Sequence, residues 1–340
     1  MSTWYLVADI GGTNARFSAL KPGQLESELQ FFHSVDEYPN FENLLEIIIN
    51  EIGQVTGWEN PPYKACFAVA CPADADRISF TNSHWSFSQS KIKKFLKCES
   101  LIVINDFEAV AHGIMELKDD EVIQIGGGLP VKNRAIGILG AGTGLGVAGL
   151  LPYDGGYHII ESEGGHSDYS PISEAQGEVV RRLRAKFGRV SLERLLSGKG
   201  IFNIYLALCE IRASKPTYSS PAQIVDAALS KADSDSVATL DMFCEGMGSA
   251  AGNLALTFGA KGGIYLAGGV IPKFLDFFLN SNFRNKFEDK GRFVSYLKSI
   301  PVYIIRRENL GLLGASKKLI KVDNNDCLLY TSPSPRDGQI

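Results

Sequence analysis

Two short runs of the chain combine glycine and threonine in a way that suits phosphate chemistry. Gly140-Ala141-Gly142-Thr143-Gly144-Leu145-Gly146 lies between the apolar runs 135–139 and 147–151. Near the N-terminus, Asp9-Ile10-Gly11-Gly12-Thr13-Asn14 is flanked in the same way. Each reads as strand, Gly/Thr turn, strand. Glycines let the backbone turn sharply, take φ > 0 and come close to a ligand. Successive N–H groups in such a turn form a concave anion nest. One copy reads equally well as an ordinary tight hairpin. Two copies far apart suggest a duplicated fold with a phosphate loop from each half. Neither run is a P-loop, and Ser197-Gly198-Lys199-Gly200 lacks the hydroxyl residue after lysine. Neither is a dinucleotide-binding turn, because each leads into a strand rather than a helix.

Moving a phosphoryl group from ATP to an alcohol requires a phosphate cradle, Mg²⁺ and a base against the acceptor hydroxyl. Gly11, Gly12, Thr13 and Asn14 could supply one side of the cradle, and Gly142, Thr143 and Gly144 the other. Asp9, beside the first turn, could hold Mg²⁺ through water, since Mg²⁺ keeps several waters. A turn-capping aspartate accounts for the same residue. The base candidate is Asp106, directly after the buried strand 101–104, where open α/β sheets place their ligands. A carboxylate there can accept the acceptor's proton. Asn105 or Asp106 could instead cap the next helix, and Asn105…Glu108 has capping-box spacing. The local pattern alone favours the cap. Carboxylates, amides and imidazoles bind adjacent sugar hydroxyls, and Asn105, Asp106, Glu163, His166 and Glu193 are such groups. Taken singly, His166 suits a structural loop, and Glu193 suits a first helical turn favoured by the helix dipole.

These residues need a scaffold. With 340 residues, two domains are expected. A content of 45% hydrophobic and 21% charged residues is that of a soluble globular enzyme. A formal charge of −4 gives no electrostatic case for nucleic acid. No apolar run approaches a membrane span, and the helical pattern 235–258 carries Asp241, Glu245 and Asn253. No secretory signal is read before the first strand, so a cytoplasmic location is expected. The six cysteines have no zinc spacing and read as reduced thiols.

Residues 4–33 read as a three-stranded meander with Lys21-Pro22-Gly23 as its second turn. Phe41, Leu44, Leu45, Ile48 and Ile52 have helical spacing. The short apolar runs 65–70 and 101–104 suit buried strands of a mixed or parallel sheet. A helix is expected from Val110 to Leu117, others over 172–187 and 235–258, and a last one from Leu310 to near Lys321. Residues 263–272 read as a strand and a Gly268-Gly269 turn, with a helix from about Lys273. Residues 323–340 have no period and resemble translated adapter read-through. They are expected to form a disordered tail, either an ordinary terminus or a segment foreign to the native protein.

From about Tyr5 to Lys321 the chain resembles the bacterial-type, non-ROK glucokinases of the actin/hexokinase/Hsp70 ATPase superfamily. The resemblance rests on ordered runs: 9–14, Thr81-Asn82-Ser83-His84-Trp85, Ile104-Asn105-Asp106-Phe107, 140–146, Glu163-Gly164-Gly165-His166, Val190-Ser191-Leu192-Glu193-Arg194, Ala267-Gly268-Gly269 and 287–293. The zinc-binding cysteine motif of ROK kinases is absent. The resemblance implies an actin-like (ribonuclease H-like) α/β fold, with mixed sheets flanked by helices and a cleft between two domains. The small domain would be 1–112 with about 305–322, and the large one 113–304. It implies ATP-dependent phosphorylation of glucose at the 6-hydroxyl, with Mg²⁺. Asp106 would be the base, with Asn105, Asp106, Glu163, His166 and Glu193 around the sugar. The Gly12-Thr13 and Thr143-Gly144 turns would face the phosphates, and Gly268-Gly269 would lie near the nucleoside. A homodimer is also implied. A kinase for mannose or fructose, and a sugar sensor without catalysis, are the alternatives.

Overall fold

The computed structural model describes residues 3–80, 83–154 and 156–331, with side chains described to residue 322. Thr81 and Asn82 of the run 81–85, and the tail residues 332–340, lie outside the described residues. The chain forms two compact units, Met1–Leu117 with Glu308–Ile340, and Lys118–Arg307.

The first unit is built on strands β1 (Tyr5–Ile10), β2 (Asn14–Leu20), β3 (Gln30–Ser34) and β4 (Lys64–Val69), a small hairpin β5 (Arg77–Ser79) with β6 (Ser86–Ser88), and β7 (Ser100–Asn105). Its sheet has the order β3-β2-β1-β4-β7. The antiparallel meander β1–β3 is followed by the parallel strands β4 and β7. Helix α1 (Phe41–Thr56) starts at Asn40, whose side chain accepts the N–H of Asn43, and ends at Gly57 with φ 70°. Its stripe Phe41, Leu44, Leu45, Ile48 and Ile52 is fully buried. Phe41 packs on Phe67, Trp85 and Phe87, so one face of the sheet has an aromatic core. Beyond α2 (Gln89–Leu96), helix α3 (Asp106–Ile114) and the C-terminal helix (Leu310–Thr331) pack together and contribute to a second core with Val7, Cys66, Ala68, Ile104, Ala109, Leu312, Ala315 and Leu319. Full burial of one such leucine stabilises by about 1.5–3 kcal/mol.

The second unit repeats this topology. Strands β8 (Val122–Gln124), β9 (Ile136–Ala141), β10 (Leu145–Tyr153), β11 (Gly156–Ser162), β12 (Gly263–Ala267) and β13 (Val302–Ile305) form a sheet of order β11-β10-β9-β12-β13-β8. The meander β9–β11 is again followed by two parallel strands, with β8 added antiparallel at the edge. Helices α4 (Glu174–Phe187), α5 (Gly198–Ile211), α6 (Pro221–Leu229) and α7 (Ser234–Phe258) supply much of the core on one face. Further on are α8 (Leu275–Leu279) and α9 (Phe283–Glu288). On α7, any Cβ at Gly248 or Gly252 would strike the carbonyl oxygen of Phe283 or Phe287, so these glycines set how closely α9 packs.

Two helices differ from the sequence reading. Helix α3 begins at Asp106 rather than Val110, because Asn105 provides the cap four residues earlier. The C-terminal helix continues past Lys321 to Thr331. Propagation adds one hydrogen bond per residue and needs no amphipathic period. The five cysteines with described side chains are reduced thiols rather than disulfides.

The α3 contact gives a stability test. A Cβ at Gly314 would overlap the carbonyl oxygen of Ala109. Gly314→Ala should therefore destabilise by about 1–3 kcal/mol, read as a lower urea midpoint. An unchanged midpoint would show that the two helices tolerate separation.

Candidate functional site

In the first unit, register decides which candidates meet. Ile10 pairs with Val69, and Val69 with Asn105, so β1, β4 and β7 end level. With strands about 4.8 Å apart, the ends of β1 and β7 lie about 10 Å from each other. Asp9 and the Gly11–Asn14 turn thus share one sheet edge with Asn105 and Asp106. The turn is closed by Gly11 N–H donating to Asn14 O at 2.9 Å, and Thr13 O accepts from Val35 N–H at 2.9 Å. Asn105 caps α3: its Oδ1 accepts the N–H of Phe107 at 2.8 Å. Asp106 is the first residue of α3, and its Oδ1 accepts from the same N–H at 2.9 Å. The capping box does not form. Glu108 instead accepts from Lys318 at 2.8 Å and lies 3.5 Å from His112. Burial would raise the Glu108 carboxyl, but His112 and Lys318 hold it below its ordinary value.

Asp9 is the member of this edge whose charge is least favoured. Burial pushes its carboxyl above the ordinary value, and Arg16, its register partner on β2, opposes this from 3.6 Å. Its carboxylate rests on the first turn of the C-terminal helix, where a Cβ at Gly311 would stand 2.7 Å from Asp9 Cγ. Gly311 is a contributor that the sequence reading missed. Its signal was present as two glycines three apart in an apolar helix, Leu310-Gly311-Leu312-Leu313-Gly314. Each costs roughly 1 kcal/mol relative to alanine, so a close approach has to justify it.

In the second unit, the Gly142-Thr143-Gly144 turn joins β9 to β10. Its Gly142 N–H donates to Gly144 O at 2.9 Å. Ala267, the last residue of β12, pairs with Gly140, so the Gly268-Gly269 turn lies beside the first. Gly268 has φ 89° and no room for a Cβ against the carbonyl of Ala141, while Val270 N–H donates to that same carbonyl at 3.1 Å. A Cβ at Gly142 or Gly269 would meet nothing within 4 Å, so open space lies over both backbones.

Glu163 precedes and His166 ends the 3-10 turn Gly164–His166; both are well exposed and approach to 3.7 Å. Gly165 packs directly on the carbonyl of Leu145, leaving no space for a Cβ. Glu193 lies on a second 3-10 turn, Leu192–Arg194, and Ser191 precedes it without a side-chain cap bond. An Asp168–Ser191 bridge and the Leu192 N–H to Ser167 O bond, 2.8 Å, join the two turns. The turns that carry Glu163, His166 and Glu193 therefore meet at Leu145, next to the Gly142–Gly144 turn. The Leu145 peptide was not singled out in the sequence, because only tertiary packing gives it a role.

Two sheets of one topology, each with a Gly/Thr turn at the carboxyl end of the first strand of its meander, define the actin-like ATPase fold. The profile of the glucokinase family matches residues 6–321. A glucokinase of Cronobacter sakazakii is 43% identical over 319 residues, covering 94% of this chain and 98% of the relative. The crystal structure of a glucokinase from an Antarctic psychrotroph is similar with a TM-score of 0.80 at 32% identity, covering 94% of this chain and 100% of that one. A ROK-family glucokinase of Streptomyces griseus shares the fold with a TM-score of 0.62 at 16% identity, covering 93% and 98%. The chain belongs to the glucokinase family.

The burial of Asp9 has a measurable consequence. A folded carboxyl held above its unfolded value binds more protons when folded, so stability falls as pH rises through that window. Asp9→Asn removes this cost. Without nucleotide at pH 7 it should raise the thermal midpoint by a few degrees, and the gain should vanish as pH falls below the ordinary value of 3.8. No gain at pH 7 would mean that Arg16 fully offsets the burial.

Proposed function

We infer that the protein transfers the γ-phosphoryl group of ATP to the 6-hydroxyl of glucose, giving glucose 6-phosphate and ADP. The observation that carries this is the family match over residues 6–321, together with a carboxylate, Asp106, at the carboxyl end of β7. In the proposed mechanism Asp106 accepts the proton of the glucose 6-hydroxyl as the oxygen–phosphorus bond forms and the bond to the ADP oxygen breaks. The Phe107 N–H, bonded to Oδ1, fixes the carboxylate's orientation. Asn105 orients Asp106 from its cap position. Glu163, His166 and Glu193 bind the other sugar hydroxyls.

The N–H groups of the Gly11–Asn14 and Gly142–Gly144 turns line positions for the phosphates, and Gly268-Gly269 offers open backbone for the nucleoside. Backbone donors held in place before the reaction stabilise charge on the transferring group without reorganising. Asp9 fits a nucleotide-borne Mg²⁺, which needs one carboxylate through water rather than a protein cage; when bound, the ion neutralises phosphate charge. The homodimer implied by the resemblance is tested by light scattering on the purified chain. No described helix is long and apolar enough to cross a membrane.

A coupled assay with Mg·ATP tests the reading, with glucose, mannose and fructose compared. Turnover should be highest on glucose and should stop on chelation of Mg²⁺; preference for another hexose would reassign the sugar. Asp106→Asn should lower kcat by about 10²–10⁴-fold while glucose affinity stays within a few-fold. Near-normal turnover in that variant would remove Asp106 from the chemistry.

A further inference from the structure

The Glu193 carboxylate, assigned above to the sugar, also belongs to the phosphate turn. Its Oε2 accepts the N–H of Leu145 at 2.9 Å, directly after Gly142-Thr143-Gly144. A Cβ at Gly144 would strike the same oxygen, so the glycine at that position keeps the carboxylate in place. Among the described residues Oε1 takes no hydrogen bond. The opposite end of the turn is held from the same stretch of chain: Gly198 N–H donates to Gly142 O at 2.9 Å. Ser197 Oγ in turn donates to Glu193 O at 2.8 Å, tying the two anchors together.

The two anchors differ in kind. The Gly198 bond is backbone to backbone and responds to no ligand. The Glu193 bond comes from a rotatable side chain with two acceptor oxygens, which can accept a peptide N–H and a sugar hydroxyl together. A hydroxyl donating to Oε1 restricts the carboxylate's rotation, and that keeps Oε2 on Leu145. The side chain then needs ordering only once, whichever ligand arrives first, which is a source of positive coupling. We propose that Glu193 is a positioning residue for the phosphate turn, acting through Leu145, so that glucose and nucleotide favour each other's binding. The proposal rests on the reading of Glu193 as a sugar ligand and of residues 142–144 as a phosphate turn.

Calorimetry on the full chain tests it, with each ligand titrated alone and glucose also titrated into protein saturated with Mg·ADP. In that second titration the glucose Kd should fall in the unmodified chain but not in Glu193→Ala; an equal glucose Kd with and without nucleotide in the unmodified chain overturns the coupling. Glu193→Ala should raise the Kd of Mg·ATP about tenfold with no sugar present, because a charge-assisted anchor of the turn is lost. Glu193→Gln keeps an acceptor for Leu145, so its Mg·ATP Kd should stay within about twofold while glucose binding weakens. A residue that served only the sugar would leave Mg·ATP affinity unchanged in both variants, and that result overturns the proposal. A glucose Kd that does not move in either variant removes Glu193 from the sugar and overturns the coupling. If Glu193→Ala does not fold, Gly144→Ala approaches the pair from the other side. It should raise the glucose Kd several-fold with no nucleotide present, and an unchanged value overturns the proposal.

Discussion

Parallel register at the carboxyl ends of the central strands is the constraint on which the rest of the structure depends. Ile10, Val69 and Asn105 stand level in one sheet, and Gly140 pairs with Ala267 in the other. A shift of one residue in any of these pairs would turn every side chain of that strand to the opposite face. It would also carry Asp9 away from Asp106, or the Gly268-Gly269 turn away from Gly142. The apolar strands prevent this slip. β4 and β9 are buried along their whole length, so both faces of each fix the register through packing.

Much of this was legible in the residues. The Gly/Thr turns stood out because glycine at such density has few uses other than tight turns and close approach. The meander and the buried strand β4 followed from apolar runs bounded by turn residues, whereas β7, expected to be buried, is half-exposed except at Ile104. Less visible were β11 and β8, strands at the two edges of the second sheet, whose half-exposed residues carry no clean alternation. The start of α3 is not legible from apolar spacing, because Asn105 ends β7 and caps the helix at once. The contacts of Gly311 with Asp9, and of Glu193 with Leu145, span most of the chain and 48 residues respectively, so no local pattern records them.

Both units place polar groups where packing alone would not put them. Asp9 is held in a half-buried position, where desolvation raises its carboxyl. Gly268 is held at φ 89° against a carbonyl, a conformation that glycine alone adopts without strain. Such features are tolerated because the surrounding elements over-determine them. The C-terminal helix closes on Asp9, and β9 and β12 fix the two turns beside each other.

The division of the chain also bears on the order in which it can become structured. Residues 118–307 form one unit from a continuous stretch, whereas the other unit needs residues 1–117 and residues from 308 onward. During synthesis, the face of the first sheet formed by Val7, Cys66, Ala68 and Ile104 has to wait for Leu312, Ala315 and Leu319. Domains tend to fold as units as they emerge from the ribosome, and waiting apolar surface is prone to aggregate. The unit that begins first is therefore completed last. The helix that seats Asp9 is also the one that ends this exposure, so completion of the core and assembly of that sheet edge are a single event that follows the emergence of this helix.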